Sequence, residues 1–168
     1  MEISSELGIS ELVAGASVLS RPAEEFGNDS TIEGVWAIKA FEHSQVYFNL
    51  VCAIPTKLLR LTPHDDKIFS DFRTQFKDLD VRQIKEDELK SAESKEKWRP
   101  FCESFKDLVE DFNFATLLRL DAHQDYSEAN TCIVPRVQFL AIELARNREG
   151  VNEVLKEKFK PQKLGKNS

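Results

Sequence analysis

The sequence predicts a helix-dominated α+β fold, a single globular domain with one small β-hairpin or sheet, with an all-α bundle as the alternative. Three observations carry this: helical periodicity with start signals recurs along the chain, one stretch near residue 115 alternates instead, and an apolar segment bracketed by Pro135 and Gly150 is greasy nearly all round. The 168 residues are 41% apolar and 31% charged, with twelve Phe and two Trp, which supplies a core and excludes an intrinsically disordered chain. A domain of this length buries about two-thirds of its unfolded surface.

Residues 1–28 read as a flexible acidic segment and residues 160–168 as a basic disordered tail, leaving 29–159 as the domain. Its first helix starts at Ser30, whose spacing from Glu33 matches a capping box. Ile32, Trp36, His43, Tyr47, Leu50 and Ile54 line one face, flanked by Val35, Val46 and Val51, and Pro55 ends the helix near Ile54. A second helix opens on Thr62 as N-cap, Pro63 in the first position and Asp65 at the positive end of the dipole. Its apolar face is Ile68, Phe69, Phe72 and Phe76.

Residues 77–97 read as a polar surface connection holding one short helix, anchored by Leu79, Val81, Ile84 and Leu89. The next helix is expected to hold Pro100 in its first turn and to run through Phe105, Leu108, Val109 and Phe112. From Phe114 to Leu120 the pattern suits a strand buried on both faces, with a continuing helix as competitor, and Thr131–Val134 returns as its hairpin partner. Between Pro135 and Gly150 lies a central helix, and Val151–Phe159 closes the domain with a last helical turn or two.

Several function classes are disfavoured. A formal charge of -6 repels phosphate backbones and anionic membranes, so neither nucleic acid nor a membrane is an expected partner. Cys52, Cys102 and Cys132 are odd in number and widely separated, which fits reduced core thiols in the cytoplasm or nucleus. The amino-terminal stretch is not that of a signal peptide. Six scattered glycines make no phosphate cradle, so no cofactor is expected, and His43, His64 and His123 are too dispersed for an ordinary metal site. His64-Asp65-Asp66 is the nearest thing to a ligand cluster, but helix capping explains it more simply. No nucleophile elbow is present, and the neighbouring acids Glu24-Glu25 and Glu110-Asp111 point apart on a helix, so no catalytic residue is nominated.

Arginine is the feature that exceeds expectation. Arg99, Arg119, Arg136, Arg146 and Arg148 fall in or beside the most apolar segments. Two readings stay open: internal ion pairs with Glu110, Asp111, Glu143 and Glu149, or an interface patch of Arg and aromatic side chains with Trp98 and Phe101. The candidate protein-binding residues are therefore Trp98, Arg99, Phe101, Arg119, Arg136, Arg146, Arg148 and Glu149.

The AEEFGND run from Ala23, the KEKWRPFC run through Trp98–Cys102, VEDFNFATLLRL ending at Leu120 and PRVQFLAIELARNREG from Pro135 to Gly150, with weaker similarity from Asp65 to Arg73, carry a resemblance over nearly all of the chain except its tail. The chain resembles the eukaryotic polysaccharide-biosynthesis-domain-containing protein family. Ala115 departs from it, standing where relatives are expected to carry Gly. The resemblance implies a non-enzymatic chaperone that meets nascent translation elongation factor 1-alpha at the ribosome, protects its GTPase domain during folding and cooperates with the nascent-polypeptide-associated complex. The family's name points elsewhere, to a polysaccharide (xylan-type) biosynthesis or methyltransferase-like enzyme. A cofactor loop for such an enzyme is not visible in the glycine pattern. An acidic binder also suits a basic client.

Overall fold

The computed structural model describes residues 30–159, and side chains from residue 34 onward. The acidic segment 1–28, the tail 160–168 and the capping side chains Ser30 and Glu33 lie outside the described set. Helix α1 is Ser30–Ala53, followed by a 3-10 turn at Thr56–Leu58. Then come α2 (Asp65–Gln75), α3 (Glu86–Leu89) and α4 (Ala92–Glu103). Strands β1 (Ala115–Arg119) and β2 (Thr131–Pro135) precede α5 (Arg136–Arg148), a 3-10 turn at Val151–Val154 and α6 (Leu155–Lys158). This is the helix-dominated α+β fold. Its strands form an antiparallel pair in which Ala115 faces Pro135 and Arg119 faces Thr131.

Helix α5 is the axis of the fold. Every residue from Val137 to Asn147 is buried, because α2, α4 and the hairpin pack against it and Tyr47 of α1 reaches Phe139 and Glu143. Pro135 is its N-cap, and Gly150 takes the left-handed φ of 85° that ends the helix cheaply only for glycine. Ala115 needs no such freedom. Among the described non-glycine residues only Asp111 has positive φ, so Ala fits where relatives were expected to carry Gly.

At α2 the expected cap is displaced: the helix starts at Asp65 with His64 in the N-cap position, so Thr62 and Pro63 precede it. Asp65 is fully buried, and its carboxylate accepts from the Leu61 and Thr62 backbone N–H groups at 2.7 Å, while Thr62 Oγ1 accepts from the His64 N–H at 2.9 Å. These reciprocal bonds satisfy helix-start donors and account for this acid without a metal. Among the described residues no group of three or more potential ligands could hold a metal ion.

Three expectations are corrected. On α1 the buried stripe is Ala40, Ser44, Tyr47, Phe48, Val51 and Cys52, whereas Val46 and Leu50 are 61% and 40% exposed. The helix carries large apolar residues on more than one face, so periodicity alone chose the wrong edge. Helix α4 starts from Ser91, whose side chain accepts from Ser94, and holds Pro100 in its interior. An interior Pro costs about 3 kcal/mol, which the burial of Trp98 and Phe101 on the same helix offsets. Finally, α4 stops at Glu103, and Phe105–Phe112 lie in successive tight turns, such as Phe105 N–H to Cys102 O and Leu108 N–H to Phe105 O. Turns closed over three residues mimic helical spacing, which is why the pattern looked helical.

Trp98 and Phe101 join Phe72, Phe76 and Phe105 in an aromatic stack, with Trp98 and Phe76 centroids 4.2 Å apart. All three cysteines are buried, and burial pushes Cys102 up to about 12 and Cys132 up to about 11. They are core thiols. No helix among the described residues is long and apolar enough to cross a membrane.

Candidate functional site

The eight nominated residues separate into three environments. Trp98 and Phe101 are core, at 5% and 1% exposure. Arg119 and Arg146 are fully buried, so they too contribute to no surface patch. Only Arg99, Arg136, Arg148 and Glu149 reach solvent, and they do not form one cluster of contacts. Arg148 pairs with Asp66 at 2.7 Å and lies over Phe69, while Glu149 grips Arg73 at 2.6 and 2.8 Å. Arg99 is exposed. Glu110 and Asp111, considered as internal partners, make no ion pair among the described residues.

The buried arginines converge on Glu143. Arg119 donates to both of its carboxylate oxygens at 3.1 Å, and Arg146 donates to Oε2 at 2.7 Å. Tyr47 and Asn152 donate to Oε1 at 2.8 and 3.0 Å. Burial alone would raise the Glu143 pKa, but the two guanidiniums, with help from Tyr47 and Asn152, outweigh it and hold the carboxyl at about 2. One carboxylate cannot neutralise two cations. Backbone oxygens complete the balance, with Arg119 on Ala122 O and Arg146 on Val81 O, Arg119 O and Leu120 O. Every strong charge here is committed to the fold.

Directly beside this network, α1, β1 and the start of α5 enclose a cleft of about 130 Å³. Ala40, His43 and Tyr47 form one wall, Phe114–Leu117 the second, and Arg136, Phe139 and Leu140 the third, with Leu61 at the edge. Trp36 Nε1 donates to Ala115 O at 2.9 Å, pinning the strand to α1. The His43 ring meets Phe139 edge-on at 5.4 Å and lies parallel to Tyr47 at 6.5 Å. Burial holds the His43 imidazole below its usual pKa, and the Arg136 charge adds to this against a weaker opposing pull from Glu143. Arg136, half-buried, makes no hydrogen bond or ion pair among the described residues. Val46 and Leu50 follow His43 at i+3 and i+7, so they extend the same face of α1 outward from the cleft.

A second, open groove of about 1020 Å³ runs along residues 75–98, with Phe76, Leu89 and Trp98 in its floor. Lys77, Lys85 and Lys97 share its lining with Asp78, Asp80, Asp87, Glu88 and Glu93, so acids predominate. Sequence reasoning reached Arg136 but missed its companions. His43, Leu117 and Phe139 come together only through tertiary packing, and the signal that could have revealed the exposed face was the surplus of apolar residues around α1.

Together these features define a small α+β domain whose charged interior is structural and whose open cleft suits recognition of a side chain. The family comparison agrees in scale and fold: residues 32–157 match the family model described as PBDC1 protein, and the chain belongs to that family. It is 52% identical to human Protein PBDC1 over 145 residues, covering 86% of this chain and 62% of the human one, so it spans less than two-thirds of that relative. The Saccharomyces cerevisiae Protein PBDC1 homolog is 43% identical over 135 residues, covering 78% of this chain and 92% of the yeast one. A solution NMR structure of a Saccharomyces cerevisiae protein superposes with a TM-score of 0.71 at 40% identity, covering 79% of this chain and 94% of that chain.

Proposed function

We propose that this chain is a non-enzymatic, protein-binding chaperone that acts co-translationally in folding the GTPase domain of translation elongation factor 1-alpha, in cooperation with the nascent-polypeptide-associated complex. The identity of the client comes from the family resemblance. The structural observation that supports a binding role is the cleft, together with Val46 and Leu50, which are exposed on α1 one and two turns beyond its His43 wall. Sites for small molecules and cofactors usually measure about 300–1,000 Å³. A cleft of about 130 Å³ instead matches a single anchoring side chain, and the apolar residues beside it supply the rest of a protein contact.

Translating the client GTPase domain in a cell-free extract containing tagged chain tests this reading. The wild-type chain should recover the nascent domain, and Val46→Asp or Leu50→Asp should weaken recovery severalfold without lowering the melting temperature, since both side chains are exposed. Because Trp98 is core, its substitution would be uninformative here. Failure of the wild-type chain to recover client, or heat released on titration with S-adenosylmethionine, would overturn the proposal in favour of the enzymatic alternative.

A further inference from the structure

We infer that the cleft between α1, β1 and the start of α5 is a docking pocket for one acidic side chain of a partner protein. The carboxylate sits on Arg136, and apolar neighbours in the same partner segment lie over Val46 and Leu50. This rests on the client-binding reading above and supplies what that reading leaves open, the chemistry of the anchor.

Four arginines of the described residues are paired with carboxylates. Arg73 and Arg148 have carboxylate partners at the surface, and Arg119 and Arg146 share Glu143 inside. Arg60, Arg82 and Arg99 have no carboxylate partner among the described residues but are exposed to water, whereas Arg136 has no acceptor among the described residues and is partly removed from water. A guanidinium carries five donors and no acceptor, so partial burial without a partner leaves a charge suited to an anion from outside. The cleft offers no internal competitor. Its lining holds no carboxylate, and both oxygens of the nearby Glu143 are already occupied.

Size and polarity narrow the occupant. About 130 Å³ admits a side chain and excludes a folded surface. A Lys or Arg anchor would meet Arg136 head-on, and an apolar anchor would bury the guanidinium further without pairing it; both are selected against. The groove along residues 75–98 has the opposite bias, five acids to three lysines, so it does not compete for an acidic segment.

The test is a selection of phage-displayed random dodecapeptides on the immobilised full chain. Peptides with Asp or Glu flanked by Leu, Ile or Phe should be enriched, and replacing that acid by its amide in a selected peptide should weaken binding about tenfold. Selection on the Arg136→Glu chain should lose these peptides and favour Lys or Arg at the same place. If charge reversal lowers the melting temperature, Arg136→Gln serves instead and should abolish the acidic preference. Identical peptides from wild-type and variant chains, or no enrichment of acids on the wild type, would overturn the inference. Acidic selection that follows residue 136 while client recovery fails would retain the pocket and refute the client. Client recovery that depends on Val46 but occurs without any acidic preference would do the reverse.

Discussion

Arg136 and Arg146 lie on the same helix, one at the start of α5 and one in its last turn, and their surroundings differ completely. Arg146 is sealed from solvent, with its donors on Glu143 and the backbone oxygens of Val81, Arg119 and Leu120. Arg136 is half-open and has no acceptor among the described residues. A buried charge that is fully paired adds definition to a fold but little net stability, whereas losing one partner is severe. A charge left unpaired at a cleft is available for binding. Position along one helix therefore separates a structural cation from a recognition cation, which residue type alone does not.

The largest way to break this contrast is at Glu143. Glu143→Gln should cost about 3–5 kcal/mol in urea unfolding, because it leaves two buried guanidiniums without a counter-charge. Trp98→Ala should cost a similar 3–5 kcal/mol by emptying the aromatic stack. Arg99→Ala on the neighbouring exposed position should change stability by less than about 0.5 kcal/mol. Were Trp98 an interface residue, the two would be alike.

Acid titration probes the buried network directly. Folding lowers the Glu143 pKa from 4.5 to about 2, so its contribution is complete above the unfolded value and is lost as pH falls from about 4.5 towards 2. That shift corresponds to about 3 kcal/mol. Unfolding free energies measured across this interval should fall steeply for the wild-type chain and more shallowly for Glu143→Gln. A small effect is expected where a surface pair is broken: Arg148→Ala, which removes the partner of largely exposed Asp66, should cost no more than about 1 kcal/mol, less still in high salt.

Much of the fold was legible because the relevant signals are local. Pro135 and Gly150 bounded α5 and Thr62 and Asp65 lay at the approach to α2, whereas the pattern around Leu117 suited a strand but left a continuing helix open until the hairpin pairing decided it. The failures were tertiary. Pro100 sits inside α4 because distant Phe72 and Phe76 hold Trp98, and the outward face of α1 depends on where the hairpin packs. The candidate site was legible only in Arg136. Whether an arginine in an apolar stretch is paired depends on an acid brought near by folding, as Glu143 is to Arg119 across 24 positions.

The hydrogen bond from Arg146 Nε to Val81 O spans 65 residues, and the same guanidinium also holds the end of β1. The polar connection after α2 is thus tied to the helix at the centre of the molecule through one side chain. Its amides near Val81 should exchange with solvent only when α5 itself opens, so this loop-like stretch and the core form a single cooperative unit.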